Sequence, residues 1–315
     1  MLPVLTITLN PALDISTSVP EVVAGPKLRC AAPRVDPGGG GINVSRAIRI
    51  LGGQSRALVA LGGAMGQRLA ECLAREEIAL EAFSGPGETR QSLAVTESSS
   101  GKQYRFVLPG AAWTENRTAK VIEKIWEISP IGGFAVLSGS QPPGVSDDFA
   151  GRVARRLEGG RVRLVVDTSG APLRRLCDGP TPGLDTLRMD SEEAEGLAGR
   201  PLPTRRDTAE FAAGLVAGGV ARCVIVARGD DGSVLANGAK RLFSKAASVP
   251  VNSKVGAGDS FVAGYMLALA QGDPVERALA RGVAAASAAV MTEATELCRR
   301  ADAERLLDDC VVSEI

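Results

Sequence analysis

The amino-acid sequence predicts an α/β protein in which a mostly parallel central sheet is covered by helices on both faces, with a small antiparallel β lid beside it. Short apolar runs typical of buried strands, such as residues 4–9, 134–137 and 223–226, alternate with segments of helical periodicity. Two segments break this alternation. Residues 15–36 are mixed and carry three prolines. Residues 91–108 alternate apolar and polar positions around a Ser-Ser-Ser-Gly turn, which predicts a hairpin.

Composition and charge exclude several classes of protein. The chain of 315 residues carries 36 basic and 36 acidic side chains, and its net charge of zero argues against nucleic acid or an acidic membrane as the main partner. No uncharged apolar run is long enough to span a bilayer, and the first residues lack the basic region of a signal peptide. Six scattered cysteines predict reduced thiols in a cytoplasmic protein. Because histidine is absent, acid–base chemistry falls to carboxylates, Lys, Tyr or Cys.

One glycine-rich turn runs directly into an apolar segment late in the chain. Residues 255–264 read Val-Gly-Ala-Gly-Asp-Ser-Phe-Val-Ala-Gly, an order that predicts a loop followed by the N-terminus of a buried helix. The free N–H groups of such a terminus suit an anion, and Gly256 and Gly258 allow a phosphate to approach closely. Asp259 has two interpretations. It either takes a proton from a hydroxyl that attacks the phosphate, or it simply caps the helix.

A second glycine-rich turn lies early in the chain, where Pro37 is followed by four glycines, Ile42 and Asn43. Apolar residues at helical spacing come next, so a helix is predicted to begin near Asn43. Four glycines add unfolded-state entropy and let the backbone wrap around a ligand, which favours a binding loop over a flexible linker. Asp14 stands just past the first predicted strand, where it is either a ligand contact or a turn aspartate.

Both turns resemble the two signature segments of the ribokinase/phosphofructokinase-B sugar kinases. Within that family the sequence is similar to the minor bacterial 6-phosphofructokinase branch over nearly the full chain. The other segments that carry the resemblance are residues 9–14, 27–30, 103–106, 138–144, 166–170 and 282–285. The resemblance implies a ribokinase-like three-layer α/β/α fold and ATP-dependent phosphoryl transfer to a sugar phosphate. It also implies a single domain over residues 1–315, with lid segments at about 12–36 and 88–108.

The same resemblance assigns roles to individual residues. Asp259 would be the catalytic base, and Gly256, Ala257 and Gly258 would form the anion hole for the transferred phosphoryl group. The sugar phosphate would be held by Asp14, Lys27, Arg29, Gly39, Gly40, Asn43, Arg90 and Ser140. Cations on the lid explain how a neutral protein attracts a dianion. In this family the lid pairs between subunits, which implies a homodimer through the lid.

Residues on the nucleotide side depart from the family pattern, since Arg188 replaces a lysine and Asp190 an asparagine. The residues expected to bind ATP are Arg188, Asp190, Ala227, Gly229, Lys254 and Ser287. Asp190 and Glu193 are three apart on a predicted helix, and carboxylates suit Mg²⁺; the alternative is an ordinary acidic helix start. K⁺ is a further candidate ligand, although Thr292 and Glu296 alter the family's monovalent-cation loop.

The expected activity is the phosphorylation of fructose 6-phosphate to fructose 1,6-bisphosphate. A kinase of tagatose 6-phosphate or fructose 1-phosphate is an alternative. Lys27, Arg29 and Arg90 indicate that the substrate carries a phosphate, but they do not distinguish the stereochemistry of the sugar. A sugar-phosphate-binding protein with weak or lost kinase activity is the other alternative, because the altered residues cluster on the ATP side. Retention of Asp259 and its glycines favours activity.

Overall fold

The computed structural model describes residues 1–160, 162–293 and 295–315. Its strands are β1 (Val4–Thr8), β2 (Ala12–Val19), β3 (Arg34–Gly38), β4 (Arg56–Leu61), β5 (Ala79–Ser84), β6 (Arg90–Glu97), β7 (Gln103–Val107), β8 (Phe134–Ser138), β9 (Arg163–Asp167), β10 (Leu184–Asp190), β11 (Cys223–Ala227), β12 (Gly232–Asn237), β13 (Arg241–Lys245) and β14 (Val312–Glu314). Its α-helices are α1 (Gly40–Ile50), α2 (Gly63–Arg75), α3 (Glu115–Ile128), α4 (Phe149–Leu157), α5 (Gly170–Cys177), α6 (Ser191–Ala198), α7 (Arg205–Ala217), α8 (Ala257–Gln271), α9 (Val275–Val290) and α10 (Arg300–Leu306).

The central sheet confirms the predicted α/β class. Over the described residues its strand order is β14-β13-β12-β11-β10-β9-β8-β1-β4-β5. The strands from β11 to β5 in that order run parallel, whereas β12, β13 and β14 are antiparallel additions at one side. Because helices fill the crossovers, the carboxyl ends of the parallel strands meet at one edge of the sheet, which is where ligands bind in folds of this kind.

Helices pack on both faces of the central sheet and make the fold three-layered. Alternate residues of β1 point to opposite faces, as a strand requires. Val4 belongs to the buried cluster that contains α8 and α9, and Thr6 on the same face lies 2.7 Å from Ser45 of α1, oxygen to oxygen. Leu5 and Ile7 belong to the cluster that contains α3 and α4. No helix in the described ranges is both long and apolar enough to cross a membrane.

A smaller sheet, called the small sheet below, has the strand order β3-β2-β6-β7. Its central pair β2 and β6 runs parallel, and both outer pairs are antiparallel. The hairpin of β6 and β7 confirms the one predicted over residues 91–108. One feature of the small sheet is an exposed apolar pair: Leu93 and its cross-strand partner Phe106 are 38% and 54% exposed.

Some elements were not predicted from the sequence, and β10 is the one that matters for the site. It carries Asp185 and Arg188 among its apolar residues, so it lacks the continuous apolar run that marks a buried parallel strand. Its last residue, Asp190, was expected on a helix. Asp190 instead ends the strand and occupies the N-cap position of α6. The remaining unpredicted elements are β5, β12, β13, β14, α4 and α5.

Candidate active site

Three neighbouring strands present polar side chains at the carboxyl edge of the central sheet. Ser138 ends β8, Asp167 ends β9, and Arg188 lies two residues before the end of β10. The register pairs Ser138 with Asp167 and Asp167 with Arg188. Residues paired in this way point to the same face of a sheet, so the three side chains lie side by side. We call them the edge row.

Asp259 faces the edge row from the first turn of α8. Its Oδ2 accepts a hydrogen bond of 2.9 Å from Asn43 Nδ2, and its Oδ1 lies 3.5 Å from the Ser138 hydroxyl. Gly256, and not Asp259, occupies the N-cap position of α8. The capping interpretation is therefore wrong, because the Asp259 side chain is directed to groups from α1 and β8 and not to its own helix.

The ionisation of Asp259 is shifted toward neutrality. Burial raises the pKa of Asp259 to about 6, and the negative charge of Asp167 adds to that effect. The hydrogen bond from Asn43, the positive charge of Arg188 and the hydrogen bond from Ser138 act in the opposite direction. A carboxylate with a pKa just below neutral pH is ionised in the cell and still basic enough to accept a proton, which is the condition for a general base.

The glycine-rich turn before Asp259 brings backbone N–H groups next to a cation. Gly256 has a φ of 76°, in the left-handed region that favours glycine. A β-carbon added at Gly258 would lie 2.9 Å from Nη1 of Arg188, so the guanidinium rests directly against the backbone of the turn. Since the first N–H groups of a helix have no intrahelical partner, the turn and Arg188 together can bind an anion.

The early glycine loop leads to Asn43 by passing very close to the edge row. Gly39 has a φ of 120°, and a β-carbon added at Gly40 would lie 2.6 Å from the backbone nitrogen of Gly139 and clash with the Ser138 hydroxyl. Only glycine fits these two positions. The helix α1 then begins at Gly40, three residues before the predicted start at Asn43, and it holds Asn43 in its first turn.

A cleft of about 330 Å³ lies between the small sheet and α8, and we call it the sugar cleft. Its volume suits a small ligand such as a sugar phosphate. The polar side chains that line it are Asp14, Asp36, Asn43, Arg46, Arg90, Ser92, Arg105, Asp259 and Thr295. The cleft therefore ends at the same carboxylate that faces the edge row.

Arg90 is held in the sugar cleft by backbone groups. Its Nε and Nη2 donate to the carbonyl oxygen of Asn10 at 3.3 and 3.2 Å, and Nη1 donates to the carbonyl oxygen of Leu108 at 3.4 Å. Asp14 lies beside it on β2, two residues after Ala12, which is the register partner of Arg90. Burial raises the pKa of Asp14, and the positive charge of Arg90 opposes that rise. A fixed cation and an acceptor thus lie side by side on one wall of the cleft.

The other residues predicted to hold the sugar phosphate lie in different places relative to the sugar cleft. Lys27 and Arg29 are exposed on the loop between β2 and β3 and do not line the sugar cleft. Ser140 is exposed beside Asn10, whose Nδ2 donates to its hydroxyl at 3.2 Å. Arg105 lines the cleft and, among the described residues, has no ion-pair partner. Arg105 stands in the family-like segment 103–106, but nothing local to that segment indicates that it faces Asp14.

At the end of β11, Arg228 bonds to the chain itself. Arg228 donates to the carbonyl oxygens of Leu202 and Pro203 at 3.0 Å each, and its Nε donates to Asp231 at 3.0 Å. These bonds anchor the segment before α7. Its neighbours Ala227 and Gly229 end β11 and begin a 3₁₀ turn, respectively. Arg228 is therefore a structural residue in this chain.

Asp190 and Glu193 form a reciprocal capping box. Asp190 Oδ1 accepts from the backbone N–H of Glu193, and Glu193 Oε2 accepts from the backbone N–H of Asp190, both at 2.9 Å. Burial raises the pKa of Glu193, and the hydrogen bond from the Asp190 backbone opposes that rise. The alternative read from the sequence, a helix start, is thus present in the structure. The second oxygen of each carboxylate takes no part in these two capping hydrogen bonds.

Those two oxygens fit the way in which Mg²⁺ binds with a nucleotide. No group of three or more Cys, Asp or Glu side chains that could hold a metal occurs in the described part of the chain. Mg²⁺ usually takes only one or two protein carboxylates and completes its shell with water and substrate phosphates. Asp190 and Glu193 suit that arrangement, and neither would bind a metal tightly without the phosphates.

The remaining nucleotide-side candidates are spread out. Lys254 is exposed on the loop before α8, whereas Ser287 is buried in α9. In the loop compared with the family's monovalent-cation site, the Thr292 hydroxyl lies 2.7 Å from the carbonyl oxygens of both Ala289 and Glu296. Carbonyl oxygens are the ligands that K⁺ prefers. In this loop the carbonyl oxygens of Ala289 and Glu296 already lie within hydrogen-bond distance of the Thr292 hydroxyl.

A sugar-sized cleft that meets a glycine-rich helix terminus at one ionisable carboxylate defines a phosphotransferase with an alcohol group as acceptor. The chain belongs to the pfkB family of carbohydrate kinases, whose family model matches residues 3–302.

Individual relatives agree with that assignment. The chain is 37% identical over 307 residues to the ATP-dependent 6-phosphofructokinase isozyme 2 of Mycobacterium tuberculosis, which covers 97% of this chain and 89% of the relative. It is 31% identical over 268 residues to the 1-phosphofructokinase of Xanthomonas campestris, covering 84% and 83%. Phosphofructokinase-2 from Escherichia coli in complex with fructose-6-phosphate superposes with a TM-score of 0.89, 35% identity and coverage of 98% and 99%. The same enzyme in complex with potassium gives a TM-score of 0.91, 36% identity and the same coverage.

Proposed function

We propose that this chain transfers the γ-phosphoryl group of ATP to the 1-hydroxyl of fructose 6-phosphate, which yields fructose 1,6-bisphosphate and ADP. The observation that carries the proposal is the position of Asp259, which lies on the wall of the sugar cleft and in the first turn of α8. A hydroxyl bound in the cleft next to Asp259 therefore meets the N–H groups of the glycine turn on its other side.

The chemistry follows from this placement. As the sugar oxygen attacks the γ-phosphorus, its proton passes to the Asp259 carboxylate and the bond from phosphorus to the ADP oxygen breaks. Asn43 and Ser138 orient the carboxylate by hydrogen bonds. The N–H groups of Gly256, Ala257 and Gly258 bind the oxygens of the transferred group, where charge develops.

ATP is proposed to lie on the far side of the glycine turn. Its phosphates would contact Arg188, and the nucleotide would extend toward Ala227, Gly229, Lys254 and Ser287. Mg²⁺ held with the phosphates by Glu193 and Asp190 would neutralise part of their charge. K⁺ is not part of the proposed mechanism, because the Thr292 hydroxyl already lies within hydrogen-bond distance of the carbonyl oxygens of Ala289 and Glu296.

The sugar phosphate is proposed to lie with its hydroxyls near Asp14, Gly39, Gly40 and Asn43 and its phosphate near Arg90 and Arg105. A guanidinium binds a phosphate with two charge-assisted hydrogen bonds. Arg105 has no ion-pair partner among the residues that the structure describes. We propose that the small sheet, with segments at about 12–36 and 88–108 of a single domain, acts as a lid over this ligand.

A homodimer through the lid accounts for two features of the small sheet. Leu93 and Phe106 are exposed on it, and apolar surface of this kind is typical of a protein interface. Lys27 and Arg29 lie away from the sugar cleft of their own chain and would be free to approach the cleft of a second copy. Sedimentation of wild type and Phe106→Asp would test this: a dimer that Phe106→Asp dissociates is expected, and a monomeric wild type would refute it.

One assay tests the proposed function. ADP release is measured with fructose 6-phosphate, tagatose 6-phosphate, fructose 1-phosphate and free fructose as acceptors. Fructose 6-phosphate should give the highest kcat/KM, and free fructose should react far more slowly because it lacks the phosphate. A preference for fructose 1-phosphate would favour the activity of the 1-phosphofructokinase relative. Calorimetry that detects sugar-phosphate binding but no binding of MgATP would favour a binding protein without kinase activity.

A further inference from the structure

The carboxylate of Asp167, at the end of β9, forms an ion pair with Arg188. Asp167 and Arg188 are register partners on β9 and β10, and Arg188 Nη1 lies 3.3 Å from Oδ1 and 3.5 Å from Oδ2 of Asp167. Both side chains are largely buried, at 13% and 15% exposed. No other described side chain bonds to either of them, so each depends on the other for its orientation.

The rest of the Arg188 guanidinium makes no hydrogen bond to the residues that the structure describes. Arg188 Nε is buried without a hydrogen-bond partner in the described structure. The Nη1, Cζ and Nη2 atoms lie 2.9, 3.3 and 3.3 Å from the point where a β-carbon of Gly258 would be. A buried donor without a partner is costly, and a ligand or water that supplies an acceptor removes that cost. The edge of the guanidinium that carries Nη1 and Nη2 thus lies at the turn that is to receive the phosphoryl group.

We propose that Asp167 is a positioning residue, which holds the Arg188 guanidinium against Gly258 so that Arg188 stabilises the transferred phosphoryl group. This inference rests on the proposed kinase function. A long arginine side chain loses several rotatable bonds when it is fixed, and Asp167 fixes it before the ligand arrives. Stabilisation by donors already in place requires no reorganisation at the moment of reaction.

The side-chain chemistry explains why an arginine suits this position. A guanidinium can bond to Asp167 through one nitrogen and present its others to the turn, because its donors lie in a rigid plane. A lysine at the same position carries its three donors on one nitrogen, so it cannot bond to Asp167 through one nitrogen and present others to the turn. Arg188→Lys should therefore be a poor replacement in this chain, although it preserves the charge.

A double-mutant cycle tests the proposal. Asp167→Asn, Arg188→Met and the double variant are compared at pH 8, where Asp259 is ionised whether or not Asp167 is charged. Asp167→Asn should lower kcat by about 10- to 100-fold, with KM for fructose 6-phosphate unchanged, because misplacement near the reacting atoms costs that much. In the Arg188→Met background, Asp167→Asn should have no further effect. An undiminished effect there would overturn the proposal.

A binding measurement gives the same answer without turnover. MgADP with aluminium fluoride mimics the transferred phosphoryl group, whereas MgADP alone does not. Asp167→Asn and Arg188→Met should each weaken binding of the fluoride complex by at least tenfold and leave MgADP binding within about twofold. Equal weakening of both ligands would mean that Asp167 has only a structural or metal-binding role. If the wild type binds the fluoride complex in this pattern but does not phosphorylate fructose 6-phosphate, the proposed substrate is wrong and the positioning role stands.

Two further variants control for stability. Glu115→Gln breaks a surface pair with Arg152, whose nearest nitrogen lies 2.6 Å from the carboxylate, and it should change neither kcat nor the binding of the fluoride complex. If Asp167→Asn does not fold, Asp167→Glu keeps the charge and moves the carboxylate by one methylene. Loss of kcat in Asp167→Glu with an unchanged melting temperature would support the positioning role, and full activity would refute it.

Discussion

Charged side chains lie on both sides of the glycine turn at residues 256–258, and they differ in how many of their hydrogen bonds are already made within the protein. In the sugar cleft, Arg90 bonds mainly to backbone carbonyls, and Arg105 has no ion-pair partner in the described ranges. On the proposed nucleotide side, Arg228 bonds to the segment before α7 and to Asp231. Asp190 and Glu193 each give one oxygen to a helix cap.

This difference separates residues that hold the backbone from residues that await a ligand. A charged side chain with its bonds already made stabilises the fold, and a substrate would have to compete for it. A side chain with spare donors can bind a phosphate at no such cost. We infer that sugar-phosphate recognition relies on side chains, whereas nucleotide recognition relies more on backbone N–H groups, with Arg188 acting on the transferred phosphoryl group.

The largest expected effect is at the boundary between the two sides. Asp259→Asn should lower kcat by on the order of 10² or more, because a positioned base contributes that much. It should not lower the melting temperature. Burial raises the pKa of Asp259 to about 6, so its contribution to stability is present below pH 4 and is lost as the pH rises through about 6. At pH 8 the amide should therefore be as stable as the wild type or more stable. Turnover within a few-fold of wild type would show that Asp259 is not the base.

The next largest effect is expected for Arg90 in the sugar cleft. Arg90→Met should raise KM for fructose 6-phosphate roughly 10- to 150-fold and leave KM for ATP unchanged, since a charge-assisted hydrogen bond contributes roughly 1.5–3 kcal/mol. Steady-state kinetics with each substrate varied in turn measures both constants. Lys120→Met removes an exposed cation from α3 and is the matched control. Equal changes in both KM values would mean that Arg90 supports the fold and not the sugar phosphate.

A change of pH should act on the same carboxylate. Asp259 must be ionised to accept a proton, and its pKa is raised to about 6. The value of kcat/KM, which reports ionisation of the free enzyme, should thus be constant above neutral pH and fall about tenfold for each pH unit well below 6. Asp259→Asn should lose this acidic limb. A wild-type profile that is flat between pH 5 and pH 8 would contradict the assignment.

The smallest effect is expected on the nucleotide side. Asp190→Asn should shift the Mg²⁺ titration midpoint a few-fold to higher concentration and leave the affinity for fructose 6-phosphate unchanged, because only one of two metal-binding carboxylates is lost. The melting temperature should be preserved, since Asn caps a helix about as well as Asp. Asp207→Asn, in the other capping box of the chain, is the control and should leave the midpoint in place. An unshifted midpoint in Asp190→Asn would restrict Asp190 to its structural role.

Most of the fold could be predicted from local patterns in the sequence. The alternation of apolar strands and helices predicted the layered sheet, and the polar turn at residues 98–101 predicted the hairpin of β6 and β7. Both depend on neighbours within about ten residues, which a single sequence displays directly. β10 escaped because its site residues interrupt its apolar run.

The chemistry of the site was only partly local. The sequence by itself determined that the catalytic group is not a histidine, and that two glycine-rich turns precede helices. Tertiary structure decided which partners meet there. Asn43 and Asp259 are 216 positions apart and bond to one another, and Asp167 reaches Arg188 because β9 and β10 are neighbours. Strand order depends on packing of the whole chain, and no short pattern encodes it. For the same reason Arg105 could be placed in the cleft, and Lys27 and Arg29 outside it, only by the tertiary structure.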